Sequence, residues 1–168
     1  DYIEAGNENI DFLKALSKFF SLEPGALLRD YSTAISIALK ALDLGRGSKV
    51  IISPLSPSVY IRELEKLSIT AVYLDVDITS ACMKSDEILE ICESDIDGLI
   101  LYSPNGIRPD YSRLSQLNIP VIEDITTTAG TDFEENWTPD IAILRMELMD
   151  TITSGEGCGI FSGNKKFL

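Results

Sequence analysis

The 168 residues of this chain are 45% apolar, carry a net charge of −13 and include no histidine, which allows one buried core and is too short for two comfortable domains. The charge disfavours nucleic acid and anionic membranes as partners, and the missing imidazole removes histidine-based serine or cysteine triads along with the commonest metal ligand. Cys82, Cys92 and Cys158 are odd in number and widely spaced, so they read as buried thiols and suggest neither a disulfide framework nor a zinc site. No apolar run approaches the roughly 20 residues of a membrane span, and Asp1-Tyr2-Ile3-Glu4 lacks the layout of a signal peptide. The expectation is a single-domain, soluble, cytoplasmic protein without a metal.

Apolar residues at Ile10, Leu13, Leu16 and Phe20, joined by Phe12 and Phe19, predict an amphipathic helix from Asn9 to Phe20 that Pro24-Gly25 stops. Ala26 to Arg29 reads as a short strand. Ser32 is placed to cap a second helix through Leu42, ended by Gly45. Lys49 to Ile52 is a greasy strand, and Ser58 to Leu67 is a helix with Arg62, Glu63, Glu65 and Lys66 outward. Further strands are expected at Thr70–Leu74, Gly98–Tyr102, Pro120–Glu123, Asp140–Leu144 and Gly159–Ser162. Helices are expected from Ser85, as cap, to Cys92 and over Asp110–Leu117, the latter after a turn at Pro104-Asn105-Gly106. The stretch Thr131 to Pro139 reads as loop. Alternation of this kind predicts an α/β fold of three layers, α/β/α, with a mostly parallel sheet covered on both faces.

Ligands of open parallel sheets bind outside the carboxyl ends of the strands, and three segments fall there. Tyr31-Ser32-Thr33-Ala34 is a strand-to-helix turn that either holds a phosphate at the helix N-terminus or simply caps the helix. Asp124, after the run Val121-Ile122-Glu123, either pairs with the pyridinium nitrogen of a cofactor or caps the next turn. Ser154-Gly155-Glu156-Gly157-Cys158-Gly159 permits close backbone approach, or is a bare tight turn.

In their order and spacing these segments resemble the large domain of the DegT/DnrJ sugar aminotransferases, pyridoxal-phosphate enzymes of fold type I. The resemblance runs from Ile10 to Phe161, about the first half of a family member. It rests on Thr33-Ala34 with the helix Ile37 to Gly45, on Val50-Ile51-Ile52, on Val72 to Asp77, and on Val121-Ile122-Glu123-Asp124. Gly130, Asp140-Ile141 and Gly155-Glu156-Gly157 follow in order. The resemblance implies a large cofactor domain spanning residues 1–168, with the family's C-terminal small domain absent. It implies an active site formed between two subunits, hence a homodimer or a heterodimer with a related chain, and a nucleotide-sugar substrate. The implied pyridoxal-phosphate contacts are Ser32, Thr33, Leu55, Asp124, Thr127 and Arg145.

Several of these positions depart from the family pattern. The Schiff-base lysine aligns with Asp150, five residues before Gly155, and no lysine occurs between Lys84 and Lys165. The family's dehydratase branch uses histidine there, which this chain lacks. Leu55 stands for the aromatic residue that stacks on the ring, Thr127 for a glutamine, Arg145 for the phosphate-binding serine and Ser32 for the first glycine of the phosphate turn. Asp124 and Thr33 match. Losing the imine-forming amine removes covalent catalysis and proton transfer together, and Asp150 and Asp124 would share one pocket with Glu147 and Glu156. The expected protein is a degenerate, non-catalytic homologue that keeps the fold for binding or assembly and does not attach pyridoxal phosphate covalently. The alternatives are an enzyme that binds the cofactor non-covalently or draws on Lys165 or Lys166, and a repurposed small-molecule binding domain with Arg145 as an anion clamp.

Overall fold

The computed structural model describes residues 6–93, 95–131 and 137–163. Among the described residues five α-helices, α1 (Asn7–Phe20), α2 (Tyr31–Ala41), α3 (Ser58–Lys66), α4 (Ser85–Cys92) and α5 (Tyr111–Leu114), are interleaved with seven strands. The strands are β1 (Glu23–Leu28), β2 (Lys49–Ile52), β3 (Thr70–Tyr73), β4 (Gly98–Tyr102), β5 (Val121–Asp124), β6 (Ile141–Arg145) and β7 (Cys158–Ser162). They form one sheet in the order β1-β7-β6-β5-β4-β2-β3. The pairs β2–β3, β2–β4, β4–β5 and β5–β6 are parallel, and β7 is antiparallel to both its neighbours, so β7 alone runs against the rest. The α/β expectation holds with a mixed, mostly parallel sheet.

Successive side chains of a strand point to opposite faces, and here both faces are apolar. Val50, Ile52, Ile100, Ile122, Ile141, Ile143 and Ile160 pack with α2 and α3 residues such as Ile35, Leu39, Tyr60 and Leu64. Their alternates fall on the other side. Ile51, Leu99, Leu101 and Val121 meet Ile88 of α4 and Tyr111 and Leu114 of α5, while Ala142, Leu144 and Phe161 meet Leu16 and Phe20 of α1. Two-sided burial explains why these strands read as continuous greasy runs.

Some local expectations are corrected. Helix α1 ends at Phe20 as expected, with Ser21 at a left-handed φ of 55°, but Pro24-Gly25 lies inside β1, where the register against β7 shifts between Pro24 and Ala26. An edge strand tolerates proline, and a Cβ on Gly25 would come within 2.6 Å of the Ile160 carbonyl oxygen, so only glycine permits the close approach. The cap of α2 is Asp30 and not Ser32, and the helix stops before Gly45, with Asp43 at a left-handed φ of 56°. Lys84, not Ser85, precedes the first turn of α4, and the Ser85 hydroxyl donates to the Asp110 carbonyl at 3.0 Å. Of the expected loop, residues 132–136 lie outside the described residues. Cys82 and Cys158 are buried, Cys92 is half-buried, and all three are free thiols. Among the described residues, no helix is long and apolar enough to cross a membrane, and no cluster of three or more potential metal ligands occurs.

Glu63 is the largest departure from the helical-face reading, because it is 2% exposed instead of outward. Its carboxylate accepts from Ser32 Oγ at 2.7 Å, Ser36 Oγ at 2.6 Å and Lys66 Nζ at 2.5 Å, which ties α3 to the first turns of α2. Burial pushes its pKa up, but the bonds from Lys66, Ser36 and Ser32 outweigh that and bring it to about 2 from 4.5. The folded pKa is depressed, so this contribution is fully present above about pH 4.5 and fades as the pH falls toward about 2. Glu63→Gln is expected to lower stability near neutrality by about 1–2 kcal/mol and to flatten the acid limb of the stability profile. Urea denaturation at stepped pH measures both effects, and an acid limb unchanged in the variant would contradict the assignment.

Candidate functional site

Strands β5 and β6 end side by side, and the residues at and just past their ends decide the chemistry available there. Asp124, the last residue of β5, is 1% exposed. A buried carboxylate must be hydrogen-bonded to be tolerated, and this one has three donors. Tyr31 Oη, from the first turn of α2, donates a short hydrogen bond to Oδ2. Tyr60 Oη, from α3, donates to the same oxygen at 3.0 Å, and the Thr126 backbone N–H donates to Oδ1 at 3.0 Å. The two phenol rings meet edge to face, with centroids 5.5 Å apart. Burial and then neighbouring groups, the Asp124 charge among them, push both phenols well above their ordinary pKa, so both remain protonated donors.

Arg145 ends β6. Its guanidinium forms a two-pronged pair with Asp150, Nε to Oδ2 at 3.0 Å and Nη2 to Oδ1 at 2.7 Å, and the Glu147 backbone N–H adds a 2.7 Å bond to Oδ2. The Asp150 side chain is 5% exposed as a result. The hydrogen bond to Asp150 raises the guanidinium pKa further, so Arg145 is permanently charged. Its Cζ also sits 5.5 Å from the centroid of the Tyr31 ring, within cation–π range.

At the N-terminus of α2 the Asp30 carboxylate is already in place. Oδ1 accepts from the Thr33 backbone N–H and Oδ2 from Thr33 Oγ1, both at 2.8 Å. The backbone bond, followed by the hydroxyl bond, lowers the Asp30 pKa, so the helix end carries its own anion. Ser32 turns the other way, to Glu63.

A cavity of about 480 Å³ opens over these groups, lined by Arg29, Asp30, Tyr31, Arg145, Glu147 to Asp150 and Gly155 to Gly157. Arg145 and Asp150 are therefore brought together on one wall. Asp124 does not line the cavity, and Tyr31, which does, donates to it, so the expected sharing of one open pocket by Asp124 and Asp150 is not what the chain forms. Ser32, Thr33, Leu55 and Thr127 also lie off the cavity wall. Leu55 is 48% exposed in the turn after β2, and Thr127 Oγ1 donates to the Ser103 carbonyl at 2.7 Å. The glycine-rich segment is a turn into β7. Gly157 takes φ 119° and its carbonyl accepts from the Met146 N–H at 2.9 Å.

Sequence reasoning places Tyr31 in a candidate turn but misses its bond to Asp124, and it misses Tyr60 and Asp30 altogether. Asp30 has a legible signal, an acidic residue three positions ahead of a helical N–H. The tyrosines have none, because a helical apolar pattern does not say which ring has its hydroxyl directed at a strand end.

The profile of the DegT/DnrJ/EryC1/StrS aminotransferase family matches residues 1–166. Among solved structures, the aminotransferase from Psychrobacter cryohalolentis superposes with a TM-score of 0.86 at 20% identity, over 96% of this chain and 43% of that one. The GDP-4-keto-6-deoxy-D-mannose-3-dehydratase of E. coli with bound hydrated PLP gives 0.87 at 16% identity, over 96% and 45%. NtdA from Bacillus subtilis with bound cofactor PMP gives 0.84 at 23% identity, over 97% and 38%. This chain spans less than half the length of each of these structures.

The Arg145–Asp150 pair is largely withdrawn from water, so breaking it leaves an uncompensated charge. Arg145→Ala is expected to cost about 2–4 kcal/mol, and adding Asp150→Ala is expected to recover part of the loss. Urea unfolding of the two single variants and the double variant measures the coupling, and additive losses would contradict a tight pair.

Proposed function

The chain belongs to the DegT/DnrJ/EryC1/StrS aminotransferase family, and on that premise we propose that it is a degenerate, non-catalytic homologue that keeps the fold for binding or assembly. The observation that carries this reading is Asp150. It stands where the resemblance puts the imine-forming lysine, and its carboxylate is held by Arg145 through two hydrogen bonds. A carboxylate cannot form an imine, and both oxygens of this one are already taken by Arg145.

Membership makes pyridoxal phosphate a possible cofactor, since similar structures carry PLP or PMP. The residues present do not fit it as they are arranged. A pyridinium nitrogen needs a carboxylate it can reach, and Asp124 is buried beneath two phenol donors. A phosphate needs free N–H groups and positive charge at a helix end, and at α2 the Thr33 N–H is bonded to an aspartate. Arg145, one of the two guanidiniums that line the cavity, is engaged by Asp150. Lys165 and Lys166, the alternative amines, lie outside the described residues.

The roughly 480 Å³ cavity supports a second reading, a repurposed binding domain whose pocket takes another small molecule, and nucleotide sugars are the first class to try. In the assembly reading the chain pairs with itself or with a related subunit, as one large-domain-like unit working in the cytoplasm. Leu148 and Met149 on the rim, the latter 97% exposed, offer apolar contact for such a partner.

Incubation with pyridoxal phosphate, borohydride reduction and peptide mapping test the central claim. Scattered, substoichiometric labelling of surface lysines is expected, and one stoichiometric pyridoxyl adduct on a single lysine would restore an enzymatic reading. Light scattering of the purified chain tests assembly. A dimer, or a monomer that pairs with a related subunit in pulldowns, is expected, and a well-behaved monomer with no partner would count against that role.

A further inference from the structure

We propose that this chain occupies the cofactor-recognising groups of its pocket with its own side chains, the Tyr31 hydroxyl taking an acceptor on Asp124 that a ring N–H would need and the Asp30 carboxylate taking Thr33 donors at the α2 N-terminus that a phosphate would need. This goes beyond the missing amine, because it concerns whether the cofactor can sit in the pocket at all. Tyr31 is an aromatic ring that donates a hydrogen to the buried Asp124 carboxylate from the cavity side. A protonated pyridine would offer the same acceptor the same kind of donor. A ring N–H arriving from that side would have to compete with Tyr31 for Oδ2, whose two lone pairs Tyr31 and Tyr60 already take, while the Thr126 N–H takes one on Oδ1.

The ring of Tyr31 is held in position from above. The Arg145 guanidinium lies 5.5 Å from its centroid, and Asp150 fixes that guanidinium through two hydrogen bonds. The departures at 145 and 150 thus act jointly, each keeping the other and the tyrosine in place. Asp30 completes the closure. Its two oxygens accept the N–H and the hydroxyl of Thr33, the very donors a phosphate would seek at a helix start. The wall around it carries the carboxylates of Asp30, Glu147, Asp150 and Glu156 against the guanidiniums of Arg29 and Arg145, so an entering phosphate dianion meets a net opposing charge. Ring, donor and anion are all supplied from within the chain.

The test uses 4-deoxypyridoxine 5-phosphate, which has the ring and phosphate of the cofactor but no aldehyde, so lysine adducts cannot confuse the reading. Calorimetric titration of the wild-type chain is expected to give no saturable binding. The double variant Tyr31→Ser, Asp30→Gly frees Asp124 and the helix end while glycine still serves as a fair cap, and it is expected to bind saturably, at least about tenfold more tightly than wild type. Wild-type binding as tight as that of the variant would overturn the proposal, as would a variant folded by circular dichroism with no gain. Should the double variant not fold, Asp30→Gly alone decides with inorganic phosphate: a gain of about threefold or more is expected, and none would overturn the proposal. One stoichiometric adduct on a single lysine after borohydride would refute the non-catalytic reading, whereas analogue binding to wild type without such an adduct would refute self-closure alone.

Discussion

A carboxylate at the end of a central parallel strand, buried to 1% exposure, is the constraint on which the rest of this molecule turns. Left without partners, Asp124 would cost several kcal/mol. It is stabilised by the hydroxyls of Tyr31 and Tyr60 and the N–H of Thr126, and those partners come from α2, α3 and the turn after β5. The carboxylate therefore pins two helices to the sheet at the point where a ligand would be bound. Each hydroxyl that stabilises it also covers it. Arg145 and Asp150 extend the same logic outward, since the guanidinium that stacks on Tyr31 is the one Asp150 neutralises.

The fold and the chemistry separate cleanly in this chain. The sheet is held by alternating aliphatic side chains, Val50 and Ile52 on one face and Ile51 on the other, and by the short crossovers between parallel strands. None of these contacts needs a lysine, a glutamine or a ring-stacking aromatic residue. The side chains at the strand ends, by contrast, satisfy one another, Tyr31 with Asp124 and Arg145 with Asp150. Glu63 belongs to the same pattern, binding Ser32 in the first turn of α2.

Most of the fold is legible in the sequence because buried parallel strands leave a strong trace. Lys49–Ile52 and Gly98–Tyr102 have in the structure the limits that their β-branched and apolar runs predict. The edge is harder: Pro24-Gly25 reads as a breaker, and nothing local reveals that β1 pairs with β7, more than 120 residues later, across a bulge. Of the candidate site, Arg145 and Asp150 are recognisable individually, and their pairing is a matter of loop geometry over residues 145–150 that composition does not encode. Glu63 reads as outward because helical periodicity places a charge on a face without knowing that Ser32, Ser36 and Lys66 converge on it. Tyr31 and Tyr60 are invisible for a similar reason, their rings being ordinary core residues and only their hydroxyls special.

A crystal structure of the chain soaked in pyridoxal phosphate bears on the central claim most directly, because it records which atom faces Asp124. The account predicts Tyr31 Oη still bonded to Oδ2, Arg145 still paired with Asp150, and no ring density between them. A pyridine nitrogen within hydrogen-bonding distance of Asp124, with Tyr31 swung away, would contradict it.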